Sequence, residues 1–254
     1  MLKISLCIET FWNGEPEEKK IYRTASLGVS AIEFWGWRKK NLNSIRTALE
    51  KTGIVCCAFS CDHGFDLTKT VGKKFLTEAI KQSVQTARFL NCSRLIITSG
   101  NIVKGLSFAR TRRRVIEQLK SMVKIAEDAG ITILLEPLNN IVDHPGCWLT
   151  HTKDAVDIVN SIESPNLKIL YDIYHQQITE GNIIATITKH IHLIGHFHVA
   201  GVPGRGVPSD GELNYRAIFS AIRHLSYDGY IGLEYEPCRK EEQSLRKALE
   251  LVQN

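Results

Sequence analysis

Residues 131–139 read ITILLEPLN, an apolar, β-branched run that delivers one carboxylate, Glu136, and stops at Pro137. A charge at the end of a buried strand needs a partner, because desolvating it alone is costly. The same pattern returns at residues 230–237, YIGLEYEP, where Glu234 ends an apolar run and a proline follows three residues later. Between them lie LKILYD, residues 167–172, ending in Asp172, and LIGHFH, residues 193–198, ending in His198. The four polar strand ends are spaced by 36, 26 and 36 residues, close to the roughly 30 residues of one strand-plus-helix unit.

Outward from these runs, a glycine repeatedly introduces an apolar strand: Gly28 before VSAIEFW, Gly53 before IVCCAF, Gly130 before ITILLE and Gly229 before YIGLEY. Each suits the left-handed position that closes a preceding helix. Strands are expected at residues 3–8, 30–35, 54–59, 94–98, 132–136, 167–172, 193–198 and 230–234. Helix-period segments fall between them, at 41–52, 71–90, 108–129 with Ser107 as N-cap, and 214–225. Alternation of this kind predicts parallel strands with crossover helices, and eight units in 254 residues match an α/β fold of the (β/α)8 barrel type, a TIM barrel. No linker or composition shift marks a second domain, so residues 1–254 are expected to form one. A doubly wound dinucleotide-binding sheet would need a glycine-rich first turn, and ETFWNGEP lacks GxGxxG.

In a barrel the strand C-termini converge on one face, which would gather Glu136, Asp172, His198 and Glu234 around one point. Three carboxylates and an imidazole brought together would repel one another and raise their pKa values. A divalent cation removes that cost; the oxygen-rich set suits Mg, and one nitrogen admits Mn, Co, Zn or Fe. Taken singly, each acid could instead be an ordinary strand-end residue that caps the next helix. His196 shares a strand face with His198 and is expected one layer beneath the site, hydrogen-bonded.

The formal net charge of +5 favours anions only weakly. Seven cysteines without CxxC spacing, and no cleaved signal at the N-terminus, fit reduced thiols and a cytoplasmic protein. No apolar run approaches a membrane span.

Several long motifs, in order, resemble the hydroxypyruvate isomerase family: EPLNNIVDHPGCWL, LYDIYHQQITEGN, IGHFHVAGVPGR followed by DGELNY, and GYIGLEYEP. That family lies within the xylose-isomerase-like barrels, which also include ketose 3-epimerases, and the likeness covers nearly the whole chain. It implies that Glu136, Asp172, His198 and Glu234 bind one divalent metal, with Mn, Mg or Co favoured over Zn or Fe. It further implies that Glu136 and Glu234 handle protons, that His175 and Arg205 contact substrate, and that the protein is a homo-oligomer. At the position of His198 the resemblance includes glutamine in some hydroxypyruvate isomerases and histidine in ketose epimerases.

The implied activity is an aldose–ketose type isomerisation of a small hydroxy-carbonyl compound, hydroxypyruvate to tartronate semialdehyde, through an enediolate. Ketose 3-epimerisation of the D-tagatose/D-psicose type would use the same two glutamates. His175 follows Asp172 by three residues and would reach a substrate oxygen from the loop over the active face; without the resemblance it reads equally as a helix-capping histidine. Arg205, in the glycine- and proline-rich loop 201–211, would meet a carboxylate or oxyanion from a lid-like segment.

Two readings from other classes remain. Endonuclease IV DNA-repair enzymes share this barrel type, and the run Arg110, Arg112, Arg113, Arg114 invites nucleic acid. It lacks interleaved aromatics for base stacking, and His63 is the only spare histidine considered for a multinuclear zinc site. The run reads better as a solvated helix face at the active-face rim, where it could steer an anionic substrate; neither nucleic acid nor membrane is an expected partner. The other reading is a non-catalytic sugar-binding barrel. Trp12, Phe34, Trp35, Trp37 and Trp148 could wall a pocket under any reading, with Trp35 nearest the substrate.

Overall fold

The structure is a computed structural model that describes residues 1–61, 65–237 and 240–253. Eight strands, β1 (Lys3–Cys7), β2 (Ala31–Phe34), β3 (Val55–Ser60), β4 (Arg94–Thr98), β5 (Thr132–Glu136), β6 (Leu167–Asp172), β7 (Ile194–Val199) and β8 (Tyr230–Leu233), pair in sequence order and close through β8 on β1. Every pairing is parallel. The fold is an α/β TIM barrel, as the alternating pattern predicts.

The crossovers are α1 (Glu17–Ser26), α2 (Leu42–Thr52), α3 (Lys73–Phe89), α4 (Phe108–Glu127), α5 (Thr152–Ile162), the short pair α6 (Ile173–Thr179) and α7 (Ile183–His190), then α8 (Tyr215–His224), with α9 (Glu241–Gln253) last. Ser107 caps α4 as expected, its side chain accepting from the Arg110 amide. Gly28, Gly53 and Gly130 take the positive φ that ends a helix. Gly229 does not. Ser226 adopts the left-handed conformation there, and Gly229 is instead pressed against Tyr227, whose hydroxyl lies 2.1 Å from where a Cβ would stand.

Residues two apart on a strand share a face, so the side chains beneath the polar strand ends are inward too. Ala31, Ile96, Leu134 and Leu170 form a small buried cluster, separate from the larger core between strands and helices. That layer lies beneath the C-terminal strand ends, and His196, level with Leu170, stands beside it as a polar member.

Candidate metal centre and active site

Barrel register sets the polar strand ends at one level. Thr98 pairs with Glu136, and Asp172 pairs with His198, which pairs in turn with Gly232. Glu234 lies just beyond β8, its amide donating to the Val199 carbonyl. The consequence is a buried quartet: ligand atoms of Glu136, Asp172, His198 and Glu234 all lie within 4.8 Å of one another. His198 Nδ1 stands 3.5 Å from Glu136 Oε1 and 3.4 Å from Glu234 Oε2.

The two oxygens of Asp172 differ in their surroundings. Its Oδ1 accepts from the Tyr174 and His175 amides and caps α6, while Oδ2 is buried without a hydrogen bond. His198 Nδ1 is also buried and unpartnered. Buried polar atoms left without a partner are costly unless something fills the gap; an oxygen-rich set with one imidazole fits a divalent cation.

Burial disfavours charge on His198, but Glu234, Glu33 and Glu136 outweigh it and raise the imidazole pKa well above its usual value. Burial and nearby Glu234 push Asp172 up to about 6, against the opposing pull of Arg205 and His198. Glu234 goes the other way. Burial would raise it, yet His198, the Arg205 guanidinium and the Trp35 indole N–H together hold it well below the usual carboxylate range.

Glu136, His198 and Glu234, but not Asp172, line a cavity of about 240 Å³ with Trp35, Ser60, Ile96, Thr98, Leu138, His144, His175 and Arg205. Trp35 donates from Nε1 to Glu234 Oε1 at 2.7 Å, and Arg205 Nη2 donates to the other oxygen of Glu234. The Arg205 loop is not a loose lid. Gly201 N bonds Gly206 O at 2.7 Å, Glu236 N bonds Arg205 O at 2.7 Å, and a Cβ at Gly201 or Gly211 would meet backbone oxygen within 2.5 Å. His175 is fully buried, with Nε2 3.4 Å from Asp172 Oδ2; burial drives its pKa down to about 4, so it is a neutral ring.

Sequence reasoning missed Glu33. It is 1 % exposed and lies behind His198, whose Nε2 is 2.9 Å from Glu33 Oε1, although the two are not aligned as a hydrogen bond. His196 Nε2 bonds the other oxygen of Glu33 at 2.7 Å, and Ser5 Oγ donates to it. His196 is thus the hydrogen-bonded layer residue expected beneath the site. Burial opposes charge on Glu33, but His198 and His196 hold it ionised. An acid two residues beyond buried Ala31 in VSAIEFW was the available signal.

Of the aromatic candidates only Trp35 lines the cavity. Trp148 stacks on Phe108 at 4.9 Å, Phe34 on Phe59 at 5.1 Å, Trp12 packs on Phe11, and Trp37 donates to Ser83. The arginine run splits as well: Arg112 pairs with Asp157 at 3.7 Å, Arg114 donates to the Thr68 carbonyl, and Arg110 and Arg113 are exposed. Among the described residues, the groups able to hold a metal are this quartet and Glu33, His196 and His198, which share His198; His63 lies outside the described residues. No helix among the described residues is long and apolar enough to cross a membrane.

A family model described as xylose isomerase-like TIM barrel matches residues 21–254. The chain is 32% identical to a 2-oxo-tetronate isomerase of Cupriavidus necator over 84% of each protein. It is 34% identical to a hydroxypyruvate isomerase of Escherichia coli over 66% of this chain and 65% of that one. Among solved structures, one described as an AP endonuclease, family 2, from Brucella melitensis superposes with a TM-score of 0.92 at 27% identity, covering 98% of this chain and 99% of that one.

Proposed function

The chain belongs to the xylose isomerase-like TIM barrel family, and we propose that residues 1–254 act as one catalytic domain, a metal-dependent isomerase interconverting hydroxypyruvate and tartronate semialdehyde. The observation that carries this reading is the meeting of Glu136, Asp172, His198 and Glu234 within 4.8 Å, at a cavity lined by three of them together with Arg205 and His175. The names of the two isomerase relatives support the same reaction class.

The quartet would hold one divalent ion, Mn, Mg or Co before Zn or Fe, which when bound supplies Lewis acidity to two adjacent substrate oxygens. The remaining chemistry belongs to side chains. Arg205 fixes the substrate carboxylate by charge-assisted hydrogen bonds, and His175 donates from Nε2 to a substrate oxygen. One of Glu136 and Glu234 takes the proton from C3, leaving an enediolate, and the other delivers a proton to C2 while the hydroxyl proton passes from O3 to O2. Glu234, kept ionised by His198 and, less strongly, by Arg205 and Trp35, is in the unprotonated form a proton acceptor needs. Trp35, Ile96 and Leu138 shield the intermediate from water.

A ketose 3-epimerase would use the same pair of glutamates, with the proton returned to the opposite face of one carbon; the histidine at position 198 favours keeping it as the second reading. Proton NMR in D2O separates the two. The Mn-loaded protein is followed with hydroxypyruvate and, in parallel, with D-fructose. Deuterium entry with conversion of hydroxypyruvate, abolished in Glu136→Gln and in Glu234→Gln, is the expected result. Exchange at C3 of fructose instead moves the assignment to the epimerase, and silence with both substrates overturns the reading.

A further inference from the structure

We propose that Asn139 is a positioning residue that locks the His175 ring in its Nε2–H tautomer, so that a hydrogen-bond donor is aimed into the cavity. Which nitrogen of a histidine carries the proton is set by what the other nitrogen meets. Here the other nitrogen meets an amide whose orientation is fixed independently.

Asn139 Oδ1 accepts from the backbone amides of Val142 at 2.9 Å and Asp143 at 3.1 Å. That end must be the oxygen, because only an acceptor can face two N–H groups. Its Nδ2 therefore points the other way, donating to Asp143 Oδ2 at 2.7 Å and standing 2.6 Å from His175 Nδ1. Asp143 is itself held by the Tyr174 hydroxyl at 2.9 Å, which keeps the amide from turning over. Asn139 is fully buried, so no water relieves a mismatch.

With a donor pressed on it, Nδ1 of His175 must present its lone pair, and the ring's single proton must sit on Nε2. The imidazolium is excluded by the same contact, since two donors would face each other at 2.6 Å. Nε2 is buried without a hydrogen-bond partner, 3.4 Å from Asp172 Oδ2, on a residue that lines the cavity. Asp172 Oδ2, itself without a hydrogen bond, is the acceptor standing nearest this N–H, and a substrate oxygen entering the cavity is the partner the proposal assigns to it. The opposite tautomer would turn a lone pair toward the developing oxyanion and repel it.

The consequence for turnover rests on the proposed isomerase reading, whereas the tautomer does not, and the test keeps them apart. The protein is labelled with 15N-histidine and examined metal-free and Mg-loaded at pH 7, with the His175 resonances assigned by their loss in His175→Gln. Wild type should show a protonated Nε2 and an unprotonated Nδ1. In the swap variant Asn139→Asp/Asp143→Asn, the carboxylate at 139 keeps the two backbone bonds and becomes an acceptor toward the ring, while the new amide at 143 replaces the carboxylate that it would otherwise face at 2.7 Å. The proton should then move to Nδ1, and kcat on hydroxypyruvate should fall about a hundredfold, as for loss of one oxyanion donor, with metal affinity unchanged. A wild-type His175 protonated on Nδ1 overturns the proposal even if the variant does not fold, and so does a swap variant whose His175 Nδ1 stays unprotonated or that keeps full turnover. If the tautomer moves as expected but wild type does not turn over hydroxypyruvate, the lock stands and the substrate assignment falls.

Discussion

Gly232→Ala is the substitution most diagnostic of how the centre is built. Gly232 sits in β8 at the register of His198, and an added Cβ would stand 2.4 Å from Glu33 Oε1, 2.7 Å from His198 Cδ2 and 2.9 Å from Glu33 Oε2. Restoring an ordinary contact of 3.4 Å requires Glu33 to retreat by about 1 Å and the His198 ring by somewhat less. Neither side chain is a flexible surface group: both are buried in the barrel with His196 on the far side. Overpacking of this kind costs about 1–3 kcal/mol. Because the displaced groups are a proposed ligand and the carboxylate behind it, metal affinity should also fall, by about 10- to 100-fold. Gly195→Ala is the control. Its Cβ would be equally crowded, 2.7 Å from Lys168 Cβ and 2.8 Å from Leu134 Cδ2, but it lies near the start of β7, below the site. Denaturant unfolding of the metal-free proteins and Mn²⁺ titration against a chelating dye measure the two effects. Both variants should be destabilised, and only Gly232→Ala should lose affinity. Equal Mn²⁺ affinities in the two variants would refute the placement of Glu33 and His198 as a unit under the metal.

Thermal stabilisation by saturating Mn²⁺ should grow as pH rises from about 5 to about 8. Asp172, raised to about 6 by burial, stabilises the metal-free fold when protonated and loses that contribution as pH rises through its folded pKa; His198, raised above its usual value by surrounding glutamates, acts in the same direction at higher pH. A cation held by these residues would replace both protons, so a pH-independent stabilisation would contradict the account. Trp35→Phe removes the indole donor from Glu234, which should move the acidic limb of the kcat/KM profile up by about one pH unit; an unmoved limb would show that the bond does not tune this glutamate. Replacing the exposed Arg110 and Arg113 by Gln should flatten the salt dependence of kcat/KM for hydroxypyruvate if they steer it, and an unchanged dependence removes that role.

The barrel was legible because alternating strands and helices leave a periodic trace, and glycines at 28, 53 and 130 mark where helices end. The four metal-competent residues were legible for the same reason: each terminates an apolar run, and a run that ends in charge identifies a strand's C-terminal end. Arg205 and His175 were reached through resemblance of their surrounding motifs, and both line the cavity. Glu33 was passed over inside VSAIEFW, where an acid flanked by isoleucine and phenylalanine reads as one more position in a strand. Asn139 reads as a loop residue after a proline, and Gly232 as an interruption within YIGLEY.

The chain's order of residues thus determined which side chains reach the C-terminal face of the barrel, since strand periodicity is local and written in neighbouring positions. Only the closed tertiary structure decided that Glu33 stands behind His198, that Gly232 leaves room for both, and that Asn139 presents its amide nitrogen to His175. Those contacts join residues 165, 199 and 36 positions apart, and they depend on inter-strand register and loop packing, which no periodicity along a single strand contains.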